Sequence, residues 1–249
     1  MQSTTHQQGL IMSDASPVRT SALLASLDWL DHAFLPAGMA PPEEIACGHQ
    51  RHTATVVMAE EAFPRKQREA DAVIATGPRP VAVYTADCLP VLIADTRQRN
   101  VAAVHAGLKG ALAGVLPQAI DRLIEAGATP DSLFAAIGPA IAPCCYELGE
   151  EMLNTILVNP LATAPRWFTL QPLNKQAVRP QARAAHQGVW FDLPALGRQM
   201  LLDRGIPAAQ IDILPVCTYC CAEAQSSYRR NTHFSDGYAL RYSWIRRKA

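Results

Sequence analysis

Short runs of β-branched and apolar residues, each closed by turn-forming residues, fill the first half of the chain. Thr53 to Met58 (TATVVM), Ala70 to Ala75 (ADAVIA), Val81 to Tyr84, Leu89 to Ala94 (LPVLIA) and Asn100 to His105 (NVAAVH) each predict a strand. Ahead of them, residues 20–30 are apolar with mixed period. His32 to Glu44 carries Pro36, Gly38, Pro41 and Pro42 as breakers and predicts a loop. After Gly107 the period lengthens. Leu112, Val115, Leu116, Ala119, Ile120, Leu123 and Ile124 recur at helical spacing, predicting a helix from Ala111 that stops at Gly127. Pro117 should kink or restart it. Leu133 to Ile137 predicts a strand and Glu150 to Val158 a helix. Residues 159–188, rich in Pro and Arg, predict a mobile loop. Phe191 to Arg204 predicts a helix capped by Asp192, with Pro194 in its first turn. Gln210 to Pro215 and Tyr238 to Trp244 predict the last strands. Strands and helices do not alternate as βαβ units, so the pattern points to an α+β layered domain.

Composition narrows this picture. A chain of 249 residues, 49% hydrophobic and 18% charged, can bury a sizeable core without a staple. Lys plus Arg and Asp plus Glu each number 22. The balance gives no bulk electrostatic case for nucleic acid or an anionic membrane, and neither is expected as a partner. Arg246, Arg247 and Lys248 read as a solvated tail. No stretch approaches the ~20 apolar residues of a membrane span. The first twenty residues are polar and lack an apolar signal core, and Met12 is an alternative start. The expectation is a cytoplasmic protein with a flexible tail over residues 1–20 and one domain over 21–249, as a monomer or homodimer. Seven cysteines, with Cys144-Cys145 and Cys220-Cys221 adjacent, do not resemble a secreted disulfide framework and read as reduced thiols.

Three side chains carry candidate chemistry. His52 precedes a strand, Cys88 lies in the break between two apolar strands, and His105 ends a strand ahead of Ala106-Gly107. Two imidazoles and a thiolate make a good zinc set, and three ligands leave the open position of a catalytic site. Spacing alone leaves two other readings open: hydrogen-bonded histidines with a small core thiol, or Cys88 as a nucleophile paired with His105. Asp87, beside Cys88, would orient a histidine or form a turn. Gly107-x-x-Gly110, with Lys109 inside it, would present backbone N–H groups to a phosphate or simply allow close packing. Cys217-x-x-Cys220-Cys221 suggests half of a zinc ribbon, but such a site is not expected here. A structural site needs four ligands, and the sequence offers no matching second pair.

Taken together these blocks resemble the YfiH or laccase-domain family, also called the multicopper polyphenol oxidase family. The resemblance rests on TADCLPVLIAD followed by VAAVHAGLKGALAGVL, on EADAVIATGPRPVAVY, on AAIGPAIAPCCYELG, on Phe191-Asp192-Leu193, on Cys217-Thr218 and on Ser226 to Arg230 (SSYRR), over roughly residues 45–245. It implies a four-layer helix–sheet–sheet–helix sandwich with mixed sheets. It also implies zinc held by His52, Cys88 and His105, with copper less expected because a multicopper centre needs many more histidine ligands than one zinc site does and the chain has seven histidines in all. The implied activity is a purine nucleoside phosphorylase with adenosine deaminase and methylthioadenosine phosphorylase side activities, acting on a small-molecule nucleoside and phosphate. Asp87 is then expected to orient a zinc-bound histidine, and Lys109, Gly107, Arg229 and Arg230 to meet phosphate.

The chain departs from the family in the shell around the metal. Where the family has W-R-G after V-H-A-G, this chain has Leu108-Lys109-Gly110, which keeps the charge but loses the bidentate guanidinium. The glycine of Q-V-H-G is Thr53, and the N-terminal T-R-x-G-G segment is missing. Two alternatives follow: a peptidoglycan-editing or cysteine hydrolase using Cys88 and His105, and a metal-binding protein that has lost the reaction.

Overall fold

The computed structural model describes residues 17–162, 167–170, 189–221, 223 and 225–248. Two β-sheets lie face to face. The larger follows the order β12-β8-β6-β7-β4-β3 and the smaller β1-β13-β5-β2. In the larger sheet β3 (Val56–Met58) runs parallel to β4 (Ala72–Ala75). Strands β4, β7 (Val101–Ala106), β6 (Leu89–Asp95) and β8 (Leu133–Ile137) pair antiparallel in turn, and β12 (Ile211–Ile213) returns parallel to β8. The smaller sheet joins β1 (Leu30–Phe34), β13 (Arg241–Arg247), β5 (Val81–Thr85) and the two-residue β2 (Ala46–Cys47). A third sheet joins β9 (Glu147–Leu148), β11 (Val189–Phe191) and β10 (Phe168–Thr169), and its Leu148, Val189 and Phe191 share the core on the outer face of the larger sheet.

Strand alternation explains the two cores. Val73, Leu92, Val101, Ala103 and Ala136 face Phe34, Val81, Val83 and Ile245 across the gap between the sheets. Their neighbours Ile74, Val91, Ile93, Ala102 and Val104 point the other way. They pack under α2 (Leu108–Leu112), α3 (Val115–Glu125) and α5 (Leu193–Asp203). Because both faces of β6 and β7 are covered, every residue of both strands is buried, which is why they read as unbroken apolar runs. The α+β class with mixed sheets agrees with expectation.

Several boundaries moved for identifiable reasons. The long helix breaks in two at Gly114, whose φ of 91° only glycine adopts easily, and Pro117 sits in the first turn of α3, where no intrahelical N–H is needed. The short α1 (Ala22–Ala25) is capped by the Ser21 hydroxyl accepting from Leu24 N–H. The expected loop from His32 is partly strand, because β1 is recruited by β13 from the other end of the chain. The basic C-terminal residues are not a loose tail: Arg246 and Arg247 lie in β13, and Arg246 pairs with Asp31 at 2.9 Å. Arg19, assigned to the N-terminal tail, bridges to Phe34 and pairs with Glu223. The rest of that tail up to residue 16, and residues 163–166 and 171–188 of the predicted loop, lie outside the described residues. The remaining helices are α4 (Glu150–Leu157) and α6 (Tyr228–Phe234). Among the described residues, no helix is long and apolar enough to cross a membrane.

Candidate metal centre

The start of β4, the start of β6 and the end of β7 lie at one edge of the larger sheet, since Ala72 pairs with Val104 and Leu89 with Ala106. His105, the penultimate residue of β7, therefore stands beside Cys88, which immediately precedes β6. The turn holding His52 folds over both. The ligand atoms of His52, Cys88 and His105 all lie within 4.8 Å of one another. His105 is buried, Cys88 half-buried and His52 exposed, so the group opens to solvent on one side.

Asp71 organises this arrangement. It is fully buried at the head of β4, and one oxygen accepts from His105 Nδ1 at 2.8 Å and from His52 N–H at 2.9 Å. The other oxygen accepts from the N–H groups of Arg51 and Thr53 and from the Thr53 hydroxyl. One carboxylate thus shapes the 51–53 turn, holding His52 at a φ of 60° that a side-chain-bearing residue rarely adopts. It also turns the Nε2 of His105 toward the thiol. Burial alone would raise the Asp71 pKa, but the bonds from His105, Thr53 and Arg51 outweigh it and hold the carboxyl well below the usual range.

The thiol and imidazole perturb each other in the same way. Burial pushes Cys88 up, yet hydrogen bonds from His105 and His52 bring it down to about 7. Burial pushes His105 down, and Asp71 and Cys88 raise it to about 9. The donor set suits a borderline-soft divalent ion. A sulfur at ~2.3 Å and a nitrogen at ~2.05 Å from a tetrahedral ion stand about 3.6 Å apart. Cys88 Sγ and His52 Nε2 are 3.6 Å apart. Gly107 makes room: a Cβ there would sit 2.6 Å from Cys88 Sγ and 2.9 Å from His52 Cδ2. That close approach, rather than a phosphate nest, is what the structure shows of Gly107. The α2 helix that follows has only five residues, with Lys109 exposed in its first turn.

Asp87 was expected to orient a histidine and does not. Its carboxylate accepts from the hydroxyls of Thr218 and Ser227 and from Arg229 N–H, at 2.6, 2.9 and 2.6 Å. Burial raises its pKa, which these bonds only partly offset. With a φ of 93°, it fastens the turn before Cys88 to the start of α6. The orienting role falls to Asp71, and the sequence reading missed it. The available signal was an acidic residue directly ahead of a fully apolar strand, Asp71 before AVIA. Arg229 spends its guanidinium on the Glu147 carbonyl, at 2.7 Å, and on the face of Tyr146. Arg230 pairs with Asp236 at 2.9 Å. Both lie on α6, and the Arg229 N–H is tied to Asp87, the residue next to Cys88.

The family model described as multi-copper polyphenol oxidoreductase laccase matches residues 32–246. A Synechocystis protein named purine nucleoside phosphorylase is 32% identical over 88% of this chain and 90% of its own length. A Streptomyces coelicolor protein of the same name is 36% identical over 82% of this chain and 76% of that one. Among solved structures, the Bacillus licheniformis hypothetical protein YfiH superposes with a TM-score of 0.76. It shares 22% identity, covering 93% of this chain and 99% of that one, a likeness of fold.

Proposed function

The chain belongs to the multi-copper polyphenol oxidoreductase laccase family, and from that membership we propose that it is a zinc-dependent purine nucleoside phosphorylase. The observation that carries the proposal is the convergence of His52, Cys88 and His105 within 4.8 Å, with one side open. The names of two relatives that share most of their length with this chain support the substrate class. Two nitrogens, one sulfur and an open fourth position match a three-ligand catalytic zinc set.

In this reading an oxygen of hydrogen phosphate attacks C1′ of the ribose as the bond from C1′ to the purine nitrogen breaks, and the departing purine anion takes up the proton that the phosphate gives up, leaving ribose 1-phosphate and free base. A zinc ion held by the three side chains would supply Lewis-acid polarisation of an oxygen. Asp71 keeps the proton of His105 on Nδ1 and leaves Nε2 free to ligate. Gly107 keeps the metal pocket open. Lys109, exposed on α2 two residues after Gly107, would attract the phosphate, whereas Arg229 and Arg230 are engaged by Glu147, Tyr146 and Asp236. Adenosine deamination and methylthioadenosine phosphorolysis are side activities of the same site. A nucleoside reaction with free thiols fits the cytoplasm, where cysteines stay reduced.

The test is phosphate-dependent release of hypoxanthine from inosine and adenine from adenosine by zinc-loaded protein, with ribose 1-phosphate formed in equal amount. Cys88→Ser should abolish it. Zinc-loaded, folded protein that releases no base in phosphate would refute the proposal, and inosine from adenosine without phosphate would leave only the deaminase.

A second reading has its own observation. The Cys88 thiol brought to about 7 beside His105 is the arrangement of a cysteine nucleophile. A metal-free protein that hydrolyses amide or peptidoglycan-fragment substrates, and that zinc inhibits, would favour it.

A further inference from the structure

A second set of metal-ligating side chains lies away from the centre just described. The sulfurs of Cys144, Cys145, Cys217 and Cys220 all lie within 4.8 Å of one another. Cys144 and Cys145 come from the loop after β8, and Cys217 and Cys220 from the loop after β12. The backbone already joins these loops. Ala140 and Cys217 form a parallel bridge, and Thr218 N–H donates to Ala140 O at 3.1 Å. The second pair that a four-ligand site requires is therefore present in space, although its spacing differs and 72 to 76 residues separate the pairs in sequence.

We propose that these four cysteines form a structural zinc site that binds one Zn²⁺ as a tetrathiolate and clamps the loop after β8 to the loop after β12.

The geometry fits this ligand. Four sulfurs at ~2.3 Å from a tetrahedral zinc stand about 3.8 Å from one another. Cys144 lies 3.4 Å from Cys145 and 3.9 Å from Cys220. The N–H of Ala142 donates to Cys217 Sγ at 3.5 Å, and such donors stabilise a sulfur that carries negative charge. Cys221, adjacent in sequence, is excluded. Its thiol is turned to the Thr218 carbonyl and the Ser226 hydroxyl, each at 3.4 Å. The buried pair Ile141 and Tyr219 backs the group. A cavity of about 600 Å³ opens onto Cys144, Cys217 and Cys220 and gives an ion a path in. All four positions of the ion would be filled by protein, which makes the site structural rather than catalytic.

The clamp reaches the first centre through two hydrogen bonds. Thr218, next to Cys217, donates to Asp87 beside Cys88, and Ile141 N–H donates to the Asp87 carbonyl at 2.9 Å. The tetrathiolate would thereby steady the turn that presents Cys88, without touching substrate.

Cobalt reports the site directly. Full-length Cys88→Ser protein, purified reduced and loaded with Co²⁺, has lost the thiol of the first centre. Any strong thiolate-to-cobalt charge-transfer absorption then comes from the cluster, as does the intense visible absorption of tetrahedral sulfur coordination. We expect that spectrum, one equivalent of Co²⁺ displaced by one of Zn²⁺, and a melting temperature lowered by a strong chelator. Adding Cys221→Ser should leave all three unchanged, whereas adding Cys217→Ser with Cys220→Ser should remove the absorption. The Cys88→Ser protein decides the matter alone, whatever the folding of the further variants. No charge-transfer band in that protein would overturn the proposal. So would mass spectrometry finding the four cysteines as disulfides in protein taken directly from cells under alkylation. Neither result bears on the phosphorylase reading, whose own test does not use these cysteines.

Discussion

Replacing Asp71 with Asn removes one charge and almost no volume, so the loss measures what the carboxylate holds. Five donors converge on its two oxygens: Arg51, His52 and Thr53 N–H, the Thr53 hydroxyl and His105 Nδ1. An amide keeps one oxygen. If the NH₂ takes the place facing Arg51 and Thr53, three donors lose their acceptor. If it faces His52 and His105, two do, so the second orientation is favoured. Each lost bond to a buried charged group costs about 1.5–3 kcal/mol, which puts the destabilisation at about 3–6 kcal/mol. His105 can recover one bond by accepting from the amide at Nδ1. Its proton then moves to Nε2, the nitrogen that faces Cys88, and metal affinity should fall by about 10- to 100-fold. The assay is urea unfolding of metal-free protein beside competition with a chromophoric chelator. The pH dependence adds a sign. The folded pKa of Asp71 is lowered, so its stabilisation is present above the unfolded value of about 3.9 and is lost as pH falls through and below it. Wild type should therefore lose stability on acidification more steeply than the Asn variant. An Asp71→Asn protein with an unfolding free energy within about 1 kcal/mol of wild type and unchanged metal affinity would refute the reasoning.

Gly107→Ala should abolish metal binding while leaving the far-ultraviolet circular dichroism intact, because the new methyl would sit 2.6 Å from Cys88 Sγ; metal analysis of the folded variant checks it. Alkylation of Cys88 in metal-free protein, followed by peptide mass spectrometry, should rise with pH around a midpoint near 7, and zinc should suppress it. A midpoint in the ordinary thiol range near 8.5 would contradict the His105 and His52 contacts. Asp87→Ala strips the acceptor from two buried hydroxyls and Arg229 N–H, and should cost about 3 kcal/mol in chemical unfolding while the His52–Cys88–His105 group still binds metal.

Much of the scaffold was legible along the chain because its causes are local. The apolar runs at 89–95 and 101–106 became fully buried strands, and the Asp192 side chain does cap α5 by accepting from Ala195 N–H. The motif around Cys88 and His105 was equally plain as a resemblance, since those residues sit next to recognisable strand ends. What could not be read locally was what meets what. β1 exists because β13 pairs with it, and Asp71 matters because the head of β4 lies alongside the end of β7. Asp87 turned away from the histidines because Thr218, Ser227 and Arg229 arrive from more than 130 residues further along.

The cysteines draw the line most clearly. By itself the sequence determined only that Cys217 and Cys220 stand three residues apart and that Cys144 and Cys145 are neighbours, because chain connectivity fixes nothing more. Only the tertiary structure decided that the two pairs face each other. The parallel pairing of β12 with β8 carries both following loops to the same edge of the sheet, and sequence distance has no bearing on that.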